Sequence, residues 1–420
     1  MMTRLLAFPL VLLLWQPAVA QESVGGPDLP PLAMVEKALD RHPQVQAARA
    51  GVRAEIAGRR RLDAGPYEFA LRGGYQNHSL SSGRFPEYEL GVERPLRLPG
   101  KARADADIGR QNVELARRIA YSAWCEGARQ LLRLWFGWAR ENVQRELWQQ
   151  QSEALREQVG VVTKRVRAGD APRVEVNLAD ASAAQAEAVL ESARGREQGA
   201  RDALARTFPD IAIPTRAAAD VPRPLEHDLD WFVDRVRLHN DEIRVARAAT
   251  RRGMLLARRA GAERLPDPAI GVRLATDRSA NDHITGLYIV VPLPGEARRA
   301  YADGVSAQAA VAASHEAAMV QRVTADVAMM VGQARGAYAA WEKARAAAEG
   351  MRRNADSTRR SWELREASLN DVLIARRLAL ESGLSAALAR IEAAEARYRL
   401  LVEAHLLWND PEEERQEHAD

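Results

Sequence analysis

The chain has 420 residues, 28% of them charged and only 5% aromatic, with 60 Lys and Arg against 57 Asp and Glu. Only Lys37, Lys101, Lys164 and Lys343 are lysines, and Arg and Glu interleave along the chain, which argues against a nucleic-acid partner, whose ligand surface concentrates cations. The single cysteine, Cys125, excludes a disulfide framework within the chain and a cysteine-based zinc site. A composition rich in Ala, Leu, Glu and Arg favours long helices and coiled coils over the two or three globular domains that this length would suggest.

Residues 1–20 carry Arg4 as a short basic start, continue through an apolar run from Leu5 to Trp15, and end in Ala18-Val19-Ala20, a small-x-small cleavage site. This predicts a secretory signal peptide with Gln21 as the mature start, since the apolar run is too short to span a bilayer. No cysteine follows the cleavage site, so no lipid anchor is expected. No later stretch reaches the roughly 18 consecutive apolar residues of a membrane helix. The exported chain is then either soluble or a β-barrel.

Residues 21–207 read as a first repeat containing a hairpin at about 67–96. There Tyr67, Phe69, Leu71 and Tyr75 alternate with Glu68, Ala70, Arg72 and Gly74. After a polar loop at 76–86, Tyr88, Leu90 and Val92 alternate with Glu87, Glu89, Gly91 and Glu93. One apolar face at period two fits a barrel wall with lipid outside and water inside, and equally a hairpin packed on helices. No proline lies between Pro99 and Pro172, and proline is expelled from helix interiors. Within that gap Ala116, Ala120, Trp124, Gly127, Leu131, Leu134 and Trp138 follow the four-and-three spacing of a coiled-coil seam. A helix over 101–168 would run roughly 100 Å.

Residues 208–228, with Pro209, Pro214, Pro222 and Pro224, read as a linker. Residues 229–408 form the second repeat, with a hairpin at about 269–293 that pairs 269–276 with 284–293 around a loop at 277–283. A second proline-free gap separates Pro294 from Pro411, and Leu380, Leu384, Ala387, Ile391, Ala394, Tyr398 and Leu401 continue the seam spacing. The tail at 409–420 is polar and acidic, and is expected to be disordered.

The two halves match in order and, at their helical turns, in register. GDAPRVEVNLA (169–179) aligns without a gap on REASLNDVLIA (365–375) at an offset of 196 (366 − 170), placing Asp170 on Glu366, Pro172 on Ser368 and Glu175 on Asp371. In each turn an acidic residue and then Pro or Ser opens a new helix, as capping and first-turn preferences require. Arg365 stands where the first turn has Gly169, so the second turn is expected to close differently. If the two hairpins cross a membrane, their four strands cannot close a barrel. Three copies would supply twelve, an even number in the bacterial range.

With RAGDAPRVEVNLA (167–179) and LREASLNDVLIARR (364–377) in matching turns, the chain resembles the TolC-like outer-membrane efflux factors over essentially its whole mature length. The SLNDVLIARR run, the compact length and the missing lipidation cysteine look most like the cobalt–zinc–cadmium branch. That resemblance implies a mainly α fold with membrane β: a duplicated helix–β-hairpin–long-helix repeat whose homotrimer forms a twelve-strand β-barrel continuing into a periplasmic α-helical barrel. It implies a passive duct in the outer-membrane lipid, docking a periplasmic adaptor coupled to an inner-membrane, proton-driven pump of the RND type, with heavy-metal cations as cargo. The turn tips Ala168, Gly169, Asp170, Arg365, Glu366 and Ala367 are then the candidate adaptor-docking surface.

By the same resemblance Asp371 stands where an inward-facing acidic ring narrows the periplasmic end, and three converging carboxylates would favour cations. The family pattern has a second acid three residues on, where this chain has Ile374. Asp371 reads equally as a first-turn acid favoured by the helix dipole. No HExxH, P-loop, GxSxG or strand-following GxGxxG occurs, so no enzyme, cofactor or metal site is expected. His78 and His283, in the two hairpin loops, read as polar loop residues, and Met329-Met330, the tryptophans of the first long helix and Cys125 as packing. Two alternatives stay open: the same duct serving drug efflux or type I secretion, and an exported soluble coiled-coil scaffold or adaptor with no pore.

Overall fold

The computed structural model describes residues 26–81, 83–218, 220–277 and 282–411. The expected signal peptide and most of the expected tail lie outside these residues. In chain order the elements are α1 (Leu32–Asp40), α2 (Pro43–Ala64), β1 (Ala70–Leu80), β2 (Gly83–Pro95), α3 (Pro99–Arg167), α4 (Arg173–Thr207), α5 (Leu229–His239), α6 (Asp241–Ala262), β3 (Ala269–Asp277), β4 (Asp282–Val290), α7 (Glu296–Glu363) and α8 (Leu369–Glu403). Helix pair, hairpin, long helix and returning helix therefore occur twice. α3 and α7 have 69 and 68 residues, so each runs about 100 Å at 1.5 Å per residue. Among the described residues no helix is long and apolar enough to cross a membrane.

Local chemistry sets the helix ends. Pro43 and Pro99 occupy first-turn positions, where a missing N–H costs nothing. Asp228 accepts from the Trp231 amide at 2.9 Å and starts α5, while Asn240 accepts from the Ile243 amide at 3.1 Å and starts α6. The hairpins join in one antiparallel sheet of order β1-β2-β3-β4, with Val92 opposite Val272 at the junction of the halves. The first hairpin is longer than its apolar alternation indicated. Residues 76–80 pair with 87–83, from Gln76↔Glu87 to Leu80↔Gly83. Polar side chains on one face hide this stretch of strand, because Gln76 and His78 both bond to Glu87 and need no apolar neighbours.

Most of the core forms a belt around the middle of α3. Trp124, Leu131, Trp135, Phe136 and Trp138 pack there against Leu39, Phe208, Tyr398, Leu401 and Trp408. Replacing one such buried tryptophan by alanine costs about 3–5 kcal/mol. A second cluster joins Phe232, Val236 and Ile243 to Val323, Val327 and Val331 of α7. The segment expected as a linker is part of this packing, with Phe208 and Ile211 buried. The start of the expected disordered tail is packed too: Asp410 is buried, just beyond Trp408, which accepts at its carbonyl from the Trp124 indole at 3.0 Å.

Strands hand over to helices through a knot of charge. Lys101, 1% exposed, lies 3.1 Å from Asp267 and 3.4 Å from Glu263. Tyr67 donates to Asp267 at 2.9 Å, and Arg97 and Arg259 share Asp105 at 2.7 and 2.6 Å. Burial alone would raise the Asp267 carboxyl, but the Lys101 ammonium, the Tyr67 hydroxyl and the Leu98 amide hold it below the usual carboxylate range. Lys101→Met strands the partly buried Asp267 carboxylate, a change that costs about 3–5 kcal/mol, while Glu263 keeps Arg259 and Arg298. Hydrogen exchange should report it: the Leu96 amide, bonded to the Pro268 carbonyl at 2.7 Å, should exchange at least about a hundredfold faster. Unchanged exchange there would show that the knot does not hold the junction.

Candidate functional site

At the end of the long helices remote from the sheet, the two turns lie side by side. α3 ends with the Gly169 amide on the Val166 carbonyl at 3.1 Å and the Asp170 amide on the Arg165 carbonyl at 2.9 Å. α7 ends with the Arg365 amide on Trp362 at 3.0 Å and the Glu366 amide on Ser361 at 2.8 Å. Both are Schellman endings, which need a left-handed residue just past the helix. Gly169 has φ 77° and Arg365 has φ 65°. The second turn therefore closes in the same way as the first, contrary to the expectation drawn from its missing glycine. A side chain in that region costs about 1–2 kcal/mol, and tertiary contacts hold Arg365 there.

Those contacts tie the tips together. Asp170 receives Arg365 at 2.7 Å and Arg165 at 3.2 Å, while the Arg165 guanidinium lies 4.7 Å from the Trp362 ring centre. Below them Val162, Ala179, Trp362, Leu369 and Val372 make a small core. The tip residues Ala168, Gly169, Asp170, Arg365 and Glu366 are exposed and Ala367 is half-buried. The structure thus brings the candidate docking residues into one surface, with the Asp170 charge answered by two arginines.

Asp371 caps α8. Its carboxylate accepts from the Ser368 amide at 3.0 Å and hydroxyl at 2.7 Å, and its own amide bonds Ser368 Oγ at 3.2 Å, a reciprocal capping box. The Ser368 hydrogen bonds hold the Asp371 carboxyl below the ordinary carboxylate range, so it is ionised at neutral pH while its side chain remains exposed. Ile374 and Leu378, following at helical spacing, are exposed as well. The equivalent Glu175 stands in the first turn of α4 after Pro172, which supplies no side-chain cap.

The sheet has two chemically distinct faces. Phe69, Leu71, Tyr75, Tyr88, Leu90, Val92, Ile270, Val272, Leu274, Leu287 and Ile289 share one face and are all exposed, Leu287 at 87%. The other carries Arg72, Gln76, His78, Glu87, Glu89, Glu93, Arg273 and Tyr288, with Arg72 and Tyr288 on Glu93 at 3.0 and 2.9 Å. His78 and His283 stand in strands and not in loops. His78 has partners that the sequence did not reveal: Nδ1 is 3.0 Å from Glu87, and Asp277 completes a group of three. That proximity is set by the β2–β3 pairing, which local patterns do not encode.

An apolar exposed face, a polar face and two long helical hairpins make a recognisable whole. A family model for outer membrane efflux proteins matches residues 34–208. The fold is that of the TolC-like channels. The Campylobacter jejuni outer membrane channel CmeC superposes with a TM-score of 0.73 at 12% identity, covering 92% of this chain and 88% of that one. The outer membrane protein VceC of Vibrio cholerae gives 0.70 at 18% identity, covering 90% and 95%. CusC, described in terms of folding and transmembrane channel formation, gives 0.71 at 13% identity, covering 89% and 91%. No curated protein sequence matches the chain. These neighbours are channel proteins and not enzymes.

The paired turns give opposite expectations for one chemical change. Gly169→Ala should lower the thermal midpoint, by about 1 kcal/mol of stability per chain. Arg365→Gly should be neutral or stabilising, because it relieves a left-handed side chain and loses only an exposed ion pair worth about 0–1 kcal/mol. Equal losses in the two variants would mean that the Arg365 contacts outweigh its backbone strain.

Proposed function

We propose that this chain is one protomer of a homotrimeric outer-membrane export duct, serving a tripartite efflux system through a periplasmic adaptor and an inner-membrane RND-type pump. The observation that carries the reading is the four-stranded sheet with β1 and β4 at open edges and one apolar face exposed. Unpaired strand edges are not tolerated in hydrocarbon. Three copies joined β1 to β4 would close twelve strands with the apolar face toward lipid and the Arg72–Glu93 face toward water. The long helices would extend that barrel as a periplasmic tube, with the Gly169 and Arg365 turns at its far end meeting the adaptor. Membrane fractionation and native mass spectrometry test this. Recovery in the outer membrane as a three-chain assembly is expected, and a soluble periplasmic monomer would overturn it.

Heavy-metal cations are the cargo favoured by the SLNDVLIARR resemblance, and Asp371 is the residue of this chain placed to act on them. Three Asp371 carboxylates, each ionised and exposed on its helix start, would form a cation-favouring ring at the narrow end. Capping and gating are compatible, because the Ser368 bonds that cap the helix also keep the charge. Asp371→Asn keeps an acceptor for Ser368 and removes the charge. In planar bilayers it should weaken cation selectivity and block by divalent ions with the trimer intact, and deletion of the chain should lower cobalt, zinc and cadmium tolerance. Unchanged selectivity would remove the gate role, and unchanged tolerance the metal cargo.

A further inference from the structure

Beneath the belt, three elements bring together side chains that no duct requires. Cys125 comes from α3, Asp241 from the first position of α6, and His405 from just beyond α8. Each offers a ligand atom within 4.8 Å of the others. All three are buried, at 6%, 0% and 6% exposure. The Nδ1 of His405 lies 2.6 Å from the Tyr121 hydroxyl, and its Nε2 is buried without a hydrogen-bond partner. A buried imidazole nitrogen left unpaired costs about 1–3 kcal/mol unless something occupies it. His405 also sits in the left-handed region, at φ 53°, where the Schellman ending of α8 would favour glycine. The histidine is kept there despite its backbone.

We propose that Cys125, Asp241 and His405 form a binding site for one thiophilic divalent cation, zinc or cadmium, inside each protomer. Thiolate, imidazole and carboxylate are the donor set for such ions, and three protein ligands leave the fourth tetrahedral position to water. With Nδ1–H donating to the Tyr121 oxygen, Nε2 keeps its lone pair free for an ion, an outer-shell arrangement that fixes imidazole ligands elsewhere. The Tyr121 hydroxyl also bonds the Cys125 thiol, so one residue orients two ligands.

Asp241 is held by Arg129 at 2.6 Å and by Ser122 at 2.6 Å, on different oxygens. Each carboxylate oxygen keeps a further lone pair. Arg129 also binds Glu403 at 2.6 Å, so two carboxylates answer its charge beside the ion. Arg244, 5.5 Å from the Tyr121 ring centre, and His239 are the remaining basic groups near His405. Burial and the Asp241 charge push the Cys125 thiol up, so the bound cation must displace its proton to solvent. Ligand atoms around tetrahedral zinc lie about 3.3–3.8 Å apart, a spacing compatible with atoms that all lie within 4.8 Å of one another. A single cysteine does exclude a site made only of thiolates, but not this mixed one. The site lies within the protomer and does not rest on the duct reading.

The full-length protein, purified, stripped of metal and reloaded with zinc, cadmium or cobalt, tests the site. Wild type should retain about one ion per chain after desalting. Cys125→Ala and His405→Asn, the latter chosen because asparagine tolerates the left-handed region, should each retain at least about tenfold less. Cobalt-loaded wild type should show a thiolate-to-metal charge-transfer band that Cys125→Ala lacks, which separates this site from surface histidines and carboxylates. Metal should raise the thermal midpoint of stripped wild type and leave both variants unmoved. Should a variant fail to fold, the wild-type stoichiometry and cobalt band decide alone. Wild type without stoichiometric metal in any loading, or Cys125→Ala with undiminished retention, would overturn the proposal.

Discussion

A buried cation shared between the two halves fixes how sheet and helices meet. Lys101 belongs to the first half, whereas Asp267 and Glu263, which answer its charge, belong to the second. Arg259 of the second half in turn completes Asp105 of the first. Lys101 finds its carboxylates only in the other half, so this buried cation joins the two halves where their hairpins meet. Removing Lys101 strands Asp267 in a poorly solvated place, which is why such networks are costly to break even where their net contribution is small. The direction in which α3 and α7 leave the sheet, and hence where their distant turns fall, follows from this knot.

The duplicated halves use one backbone solution with different side chains. At the turns the hydrogen bonds correspond one for one, yet glycine fills the left-handed position in the first and arginine in the second. At the following helix starts, Pro172 presets the backbone of α4, while Ser368 and Asp371 cap α8 reciprocally. Packing differs more. The first long helix carries Trp124, Trp135 and Trp138 into the belt, whereas α7 contributes Val323, Val327 and Val331 to the second cluster.

Much of this was legible because it is periodic. Proline-free gaps gave the two long helices, and the alternation from Phe69 to Tyr75 gave a strand. The seam from Ala116 to Trp138 gave the buried face of α3. What was missed depends on contacts distant in sequence. The stretch 76–86 looked like a loop because its polar residues satisfy one another across the strands, and no local rule reveals that Gln76 faces Glu87. Arg365 looked incompatible with its turn because the Asp170 partner lies 195 positions away (365 − 170). The partners of Cys125 and His405 were equally out of reach, since three separate elements must fold before the residues meet. The turn residues could be chosen from sequence because they fall at the same place in both repeats, and Asp371 through the family resemblance.

α8 is bracketed by left-handed side chains, Arg365 before it and His405 and Trp408 after it, whereas the α3–α4 turn spends a glycine on the same geometry. Local preference therefore helps the first helical hairpin to form and opposes the second, a conflict that only long-range packing resolves. An order of assembly follows. The α3–α4 pair can close from nearby residues, while α8 must wait for the belt tryptophans, the Asp170 carboxylate and the Tyr121 hydroxyl to be in place. A last helix that docks late leaves the sheet and the first hairpin free to organise before the molecule is locked.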